Sequence, residues 1–167
     1  MARAQTVDTV LELLAPLVEY PTADLVDQAR ACAVAVRPHH ARAARHIACF
    51  AEFAGRTAPG TLEELYTATF DLRPACYPYI GYQLFGETYK RGEFLAHLHA
   101  RYRDADFALA RELPDHLGAI LRYLARTADA DLVCEAAVPA LEKMTDQLKD
   151  NPYRDPVLAI LAILQDL

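Results

Sequence analysis

The sequence contains no serine, and its four cysteines include no CxxC pair. Without serine, the chain cannot carry the serine nucleophile of a hydrolase elbow motif. The cysteines lie far apart, at Cys32, Cys49, Cys76 and Cys134. We therefore predict reduced thiols rather than disulfides or a zinc site. His97 and His99 are two residues apart and would point to different sides of a helix, so they make a poor metal pair. We predict no metal and no cofactor.

Long apolar runs are also absent. The longest, residues 157–164, is too short to cross a bilayer. The first five residues lead directly into an amphipathic pattern containing Asp8 and Glu12, which is not typical of a signal peptide, so we expect a cytoplasmic protein. The net charge of −6 argues against a nucleic-acid partner, which usually requires a basic face. Gly81 and Gly86 are not part of a phosphate loop, because no Lys-Ser/Thr pair follows them.

Helical periodicity dominates what is present. Apolar residues recur every three or four positions, and no convincing alternating run is found. We predict an all-α, single-domain helical bundle over residues 1–167. The first apolar stripe runs from Val7 to Val18, Thr22 caps the second helix, and Pro38 lies in the first turn of the third. A capping box at Thr61 starts the fourth helix, and residues 71–78 break the pattern. We then predict an interruption at Gly86, helix starts at Pro114 and near Asp131, a kink at Pro139 and a turn at 151–153. Residues 157–164 are apolar on nearly every side, so we expect the bundle or a partner to cover them.

An aromatic cluster interrupts this pattern. It comprises Tyr77, Tyr79, Tyr82, Phe85 and Tyr89. The spacing of Tyr82, Phe85 and Tyr89 places them on one helix face, which is most often a core face. Tyrosines also line peptide-binding grooves, because they give large contact area and a polar tip. Both interpretations remain open for the cluster.

Asp115 and His116 form the only sequence-adjacent pair that suggests catalysis. An Asp–His pair can orient a general base, but adjacent helical residues do not face each other. The alternative is structural: an acid that stabilises the start of a helix and a histidine that caps it or packs. A small hydrolase that uses these two residues is therefore the less favoured hypothesis.

Three segments carry a family resemblance: PYIGYQLFGE at 78–87, RGEFL at 91–95 and ELPDHL at 112–117, followed by Leu121 and by NPY at 151–153. With these segments the chain resembles the cytosolic chaperones of molybdoenzyme assembly, the NarJ/TorD/DmsD group. In the TorD/DmsD branch the acidic motif reads Glu-Pro-x-Asp-His, whereas here the proline stands one place later, at Pro114. This departure favours the NarJ-like branch, which is the nitrate reductase delta type.

The resemblance implies a protein without enzymatic activity. It would bind the N-terminal segment of the catalytic subunit of a molybdopterin-dependent oxidoreductase, a client of the nitrate reductase type or one with a twin-arginine leader. It would assist cofactor insertion and assembly before membrane docking or export, and so serve nitrate assimilation. Monomer and homodimer both remain open, as does direct binding of molybdopterin or a guanine nucleotide. The alternative is an accessory or structural subunit that is retained in the mature oxidoreductase complex.

The expected peptide-binding surface is an apolar trough edged with carboxylates, where two helix starts converge. Its residues are Tyr77, Tyr79, Tyr82, Phe85, Glu87, Arg91, Glu112, Pro114, Asp115, His116, Leu117 and Leu121. The basic end of a client segment would meet Glu112 and Asp115, while its apolar face enters the trough in the helix-in-groove mode. We expect Asp115→Ala or His116→Ala to weaken client binding and to leave the melting temperature nearly unchanged.

Overall fold

The computed structural model describes residues 9–167, so Val7 and the predicted absence of a signal peptide lie outside the described residues. Nine helices make up this range, and its only β-pairing is an isolated bridge between Tyr79 and His116. In chain order the helices are α1 (residues 9–14, followed by a 3-10 turn at Ala15–Val18), α2 (Leu25–Val36), α3 (Ala41–Arg56), α4 (Pro59–Tyr66, extended by a π turn at Thr67–Asp71), α5 (Ile80–Phe85), α6 (Tyr89–Asp104), α7 (Leu117–Thr127), α8 (Ala130–Leu132, a π turn at Val133–Ala137, then Val138–Gln147) and α9 (Arg154–Gln165). The predicted all-α class is confirmed.

Most helix starts differ from the prediction by two or three residues. The predicted starts at Thr22, Pro38, Thr61 and Pro114 are replaced by starts at Leu25, Ala41, Pro59 and Leu117. A tight turn intervenes in two cases: the amide of Leu25 donates to the carbonyl of Thr22 at 3.1 Å, and the amide of His116 donates to that of Leu113 at 3.0 Å. In α4, a proline at the first helical position is already preset for helix, so the helix begins before Thr61.

Proline and glycine account for the two interruptions. Gly86 ends α5 with φ of 63°, a left-handed backbone that glycine adopts without penalty, so the predicted break is confirmed. The π turn at Val133–Ala137 lies immediately before Pro139 in α8. Proline removes one backbone donor and crowds the preceding turn, and a wider turn relieves that clash.

The C-terminal helix α9 lies inside the bundle. It packs against α3 and α8, and Val157, Ile160 and Ile163 have no exposed surface. Two His–Asp contacts join it to α3: Nδ1 of His46 lies 2.7 Å from Asp155, and Nδ1 of His40 lies 3.0 Å from Asp166. The order of these contacts makes α3 and α9 antiparallel. The sequence analysis expected either the bundle or a partner to cover the apolar surface of residues 157–164. The bundle itself covers most of that surface.

Tyr153 occupies the centre of an aromatic cluster between α3, α4 and α9. Its ring centroid lies 5.1 Å from that of Phe50, 5.8 Å from Tyr66 and 5.0 Å from Phe70. The side chain is fully buried, and its hydroxyl has no hydrogen-bond partner among residues 9–167. This cluster holds the turn at 151–153 against the core.

The cysteines divide into two groups. Cys32 and Cys76 are buried, and burial raises the pKa of both thiols to about 12, so they remain protonated. Cys49 and Cys134 are exposed on the surface. Within residues 9–167, no helix has both the length and the apolar character that crossing a membrane requires.

Candidate functional site

The segments before α5 and α7 meet at the centre of the resemblance region. The amide of Ile80 donates to the carbonyl of Asp115 at 2.8 Å, and the amide of Leu117 donates to that of Pro78 at 2.9 Å. These two hydrogen bonds flank the isolated antiparallel bridge between Tyr79 and His116. The two helix starts are thereby fixed side by side, as the sequence predicts for the trough.

Asp115 is buried beneath this junction and paired with Arg91 of α6. The guanidinium forms a two-point contact, with Nε 3.0 Å from Oδ2 and Nη2 3.3 Å from Oδ1. The Asp115 side chain has no exposed surface, and that of Arg91 is 18% exposed. The expectation that Asp115 meets the basic end of a client directly is therefore wrong, because its carboxylate is enclosed and already neutralised.

His116 caps helix α7. Its backbone is extended, and its Nδ1 accepts a hydrogen bond from the amide of Gly118 at 3.1 Å. This contact satisfies one of the amides that every helix start leaves without a partner. Burial lowers the pKa of His116, against the opposing effect of Glu112, Glu19 and Asp115 nearby, so the ring stays neutral and can accept. The structural interpretation of His116 is the one that the geometry supports.

Three tyrosines form a half-exposed surface above the Arg91–Asp115 pair, which we call the aromatic platform: Tyr77, Tyr79 and Tyr82. The rings of Tyr77 and Tyr82 stack with centroids 3.8 Å apart. The Arg91 guanidinium carbon lies 5.4 Å from the centroid of Tyr79 and 5.7 Å from that of Tyr82, within the range of cation–π attraction. One arginine thus holds both the buried carboxylate and two of the rings.

A network of side-chain amides, formed by buried Gln83 and exposed Gln147, supports the platform. The side-chain amide of Gln83 donates to the carbonyl of Tyr77 at 2.8 Å. The amides of Gln83 and Gln147 donate to each other at 3.0 and 2.8 Å, which joins α5 to α8. Gln83 was not among the predicted site residues, because a glutamine on a short helix has no pattern that marks it as buried.

Glu112 is the carboxylate that remains available at this surface. It is exposed and forms no ion pair with any residue in the range 9–167. Burial raises the pKa of the Tyr79 hydroxyl, and the negative charges of Glu112 and Asp115 raise it further. Glu112 lies in the segment before α7, whose His116 forms the bridge with Tyr79. Leu113 beside it is 47% exposed. One exposed acidic and one exposed apolar side chain therefore lie in the segment that pairs with Tyr79.

Several other predicted site residues lie elsewhere. Leu117 and Leu121 have no exposed surface and belong to the core, so they cannot line an open trough as predicted. Pro114 is buried, and its carbonyl accepts from the hydroxyl of Tyr102 at 2.7 Å. The long apolar side chains of α7 fill the space between helices, and the trough expected there is already occupied by core.

The connector between α5 and α6 places the remaining aromatic and acidic residues. Phe85 is half-buried against Phe94, with centroids 5.8 Å apart, and Glu87 is exposed. Tyr89 is 84% exposed, so of the two interpretations left open for the cluster, the core does not apply to this residue. The break at Gly86 starts a new helix, which shifts Tyr89 out of the register that a continuous helix would impose.

Glu19, which follows the 3-10 turn of α1, is a further acidic residue that the sequence did not indicate. Its Oε2 lies 2.8 Å from Nη2 of Arg122, and a methyl group added to Gly118 would meet its Oε1 at 2.6 Å. Glu19 therefore packs directly against the start of α7. No cluster of three or more metal-ligating side chains is found in the part of the chain that the structure describes.

Comparisons with known proteins identify the family and the fold. The family model described as nitrate reductase delta subunit matches residues 37–153. A crystal structure of a protein from Archaeoglobus fulgidus, described as a candidate redox enzyme maturation protein, superposes with a TM-score of 0.64 at 21% identity, covering 95% of this chain and 93% of that one. No curated protein matches the sequence. At that identity the superposition establishes the fold.

Proposed function

The chain belongs to the nitrate reductase delta subunit family, whose members are non-catalytic maturation chaperones of molybdoenzymes, and we propose that it binds the N-terminal segment of its client's catalytic subunit at the aromatic platform. The client is a molybdopterin-dependent oxidoreductase of the nitrate reductase type. Binding holds the unassembled subunit until its cofactor is inserted and precedes membrane docking or export.

The observation that carries this proposal is the half-exposed platform beside Glu112. Tyr77, Tyr79 and Tyr82 offer aromatic area that is already ordered by Arg91 and Gln83. A peptide that covers ordered rings loses little additional conformational freedom on the chaperone side. Burial of apolar client side chains on the rings supplies most of the affinity.

Glu112 gives the surface its charge preference. An exposed carboxylate without a counter-ion attracts a lysine or arginine of the client, and such a pair contributes about 0.2–1 kcal/mol. This is too little to dominate affinity, but it sets the register and the association rate. Asp115 and His116 act as positioning residues, because they fix the two helix starts and do not reach the client.

Titration calorimetry with synthetic N-terminal segments of molybdopterin oxidoreductase catalytic subunits from the same genome tests the proposal. We expect one such segment to bind, and Tyr79→Ala to weaken it strongly. Glu112→Gln should weaken it by a few-fold, in line with an exposed pair. Glu52→Gln on α3 is the matched control, since it removes the same charge from an exposed site on a helix that packs against α2 and α9. Failure of every segment to bind would refute the proposal.

The alternative, an accessory subunit retained in the mature complex, predicts a different result. The purified active oxidoreductase would contain this chain after size-exclusion chromatography, whereas a chaperone is absent from it. In that alternative, α9 would form the interface with the oxidoreductase. Few of its apolar residues are available for such an interface, because α3 and α8 enclose them. Co-elution at one copy per catalytic subunit would favour the alternative.

A further inference from the structure

A cavity of about 190 Å³ lies between α5, α6 and α8, next to the aromatic platform. Its floor is apolar and is made by Leu84, Phe85, Phe94, Leu98, Leu132 and Ala136. Phe85 lies one helical turn beyond Tyr82 on α5, so the cavity continues the surface on which the platform lies. An extended or helical segment on the platform can reach it without a break.

The cavity has the size of one large side chain. An apolar protein cavity of about 150 Å³ binds a molecule of benzene. A leucine, methionine or phenylalanine side chain therefore fits in a space of about 190 Å³. Nothing in the chain's own residues 9–167 fills it.

Two carboxylates, Asp131 and Glu135, stand at the mouth of the cavity. Both are exposed, and neither forms an ion pair with another of the described residues. The cavity's arginine, Arg101, is already bridged to Asp129. Like charges one turn apart on a helix repel each other. His97 also lines the cavity, and Arg101 attracts Asp131 electrostatically. Because Arg101 is bridged to Asp129, the mouth keeps an excess of negative charge above an apolar floor.

The π turn at Val133–Ala137 lies between these features. It carries Glu135 at the mouth and Ala136 on the floor within a single widened turn. Such turns are rare and occur often at functional sites. Here the turn orients an acidic side chain to the mouth and the smallest apolar side chain to the floor.

We propose that this cavity is a second anchor point for the client segment, and that it takes one large apolar side chain flanked by a lysine or arginine. The apolar side chain enters the cavity, and the flanking cation lies between Asp131 and Glu135. The inference rests on the proposed function, and it specifies the client segment further: an apolar part for the platform, then an anchor residue next to a basic residue.

The test measures binding of the client segment to two variants of the full chain. Asp131→Asn/Glu135→Gln removes the charge at the mouth, and Ala136→Leu fills the floor. We expect the charge variant to raise Kd about threefold to tenfold and to reduce its salt dependence. The matched control is Glu142→Gln/Asp146→Asn, which removes two exposed charges with the same spacing from the same helix. The control should bind as the native chain does.

Replacing the client's anchor residue by alanine should weaken binding to the native chain and have a much smaller effect on Ala136→Leu. Circular dichroism establishes whether Ala136→Leu is folded. If it is not, the binding measured for Asp131→Asn/Glu135→Gln decides whether the cavity binds the client segment. Native-like binding by both variants would overturn this inference and leave the proposed function intact. Absence of binding to the native chain would refute both. A dimer that the charge variant dissociates would assign the cavity to a second copy of the chain and would overturn the inference.

Discussion

Arg91 and Asp115 form a two-point ion pair across 24 residues of sequence, with Nε 3.0 Å from Oδ2. The carboxylate is fully buried, and the guanidinium also faces the rings of Tyr79 and Tyr82. A single arginine therefore connects the core of the bundle to its aromatic surface. Substituting Asp115 should therefore lower the stability of the fold, which substituting an exposed acidic residue would not do.

Asp115→Ala should destabilise the fold strongly. Removing one partner of a buried pair leaves the other charge uncompensated, at a cost of about 3–5 kcal/mol. Urea denaturation should show a large drop in the midpoint. Glu52→Ala is the control: it breaks the exposed pair with Arg56, in which both side chains are more than half exposed, and should cost less than about 1 kcal/mol. Equal effects of the two substitutions would contradict the role of the buried pair. The expectation of an unchanged melting temperature is replaced by this prediction.

Gly81→Ala and Gly92→Ala should change the stability of the fold in opposite directions. A methyl group at Gly81 would lie 2.8 Å from Oδ2 of Asp115 and 2.8 Å from the Phe94 ring, and the Arg91 pair prevents the carboxylate from moving aside. Overpacking of this kind costs about 1–3 kcal/mol, which exceeds the gain in helix propensity. At Gly92, in the interior of α6, nothing lies within 4 Å, so alanine should stabilise by about 0.5–1 kcal/mol. Thermal melts of both variants measure the difference. A stabilised Gly81→Ala variant would exclude the close packing.

The fold class and the family could both be predicted from the sequence. Apolar periodicity persists along the chain, and the family resemblance that the 78–87 and 112–117 segments carry is confirmed by the family match. Helix starts were less accurate, because polar residues and prolines cluster near each boundary and several can begin a helix. Helix α7 begins at Leu117 rather than at Pro114, and His116 caps it, which was one of the two structural roles predicted for this histidine.

The burial of Asp115 could not be predicted from sequence. Its partner Arg91 is on another helix, and an acidic residue in a motif resembles an exposed contact until that helix is in place. The enclosure of Leu117 and Leu121 follows from the same tertiary packing, since a sequence pattern marks an apolar face without saying what covers it.

Tyr153→Phe and Tyr102→Phe form a second matched pair. The hydroxyl of Tyr153 has no partner among residues 9–167, whereas that of Tyr102 donates to the carbonyl of Pro114 at 2.7 Å. Removing a buried, unsatisfied hydroxyl is neutral or stabilising, and removing a buried hydrogen bond costs about 1–3 kcal/mol when its acceptor is left unpaired. In chemical denaturation, the free energy of unfolding of Tyr102→Phe should therefore be lower than that of the native chain. That of Tyr153→Phe should be equal to it or higher. The reverse order would mean that the Tyr153 hydroxyl has a partner.

Stability should fall at acidic pH through His116. Burial lowers the pKa of this histidine below its ordinary value of 6.5, so below that pH the unfolded chain binds more protons than the folded one. The contribution of His116 is then complete above pH 6.5 and is lost as the pH falls through the folded pKa. Protonation of Nδ1 also breaks the hydrogen bond from the amide of Gly118 and puts a positive charge at a helix start.

His116→Asn separates this effect from the other histidines, which both chains share. Asparagine accepts the same amide hydrogen bond but does not titrate, so the variant should keep the cap and lose part of the acid sensitivity. His116→Ala should lose the cap as well, at a cost of about 1 kcal/mol at neutral pH. Urea midpoints measured from about pH 8 to about pH 5 should therefore fall more steeply for the native chain than for the asparagine variant as the pH falls. Parallel curves would show that His116 does not titrate differently on folding.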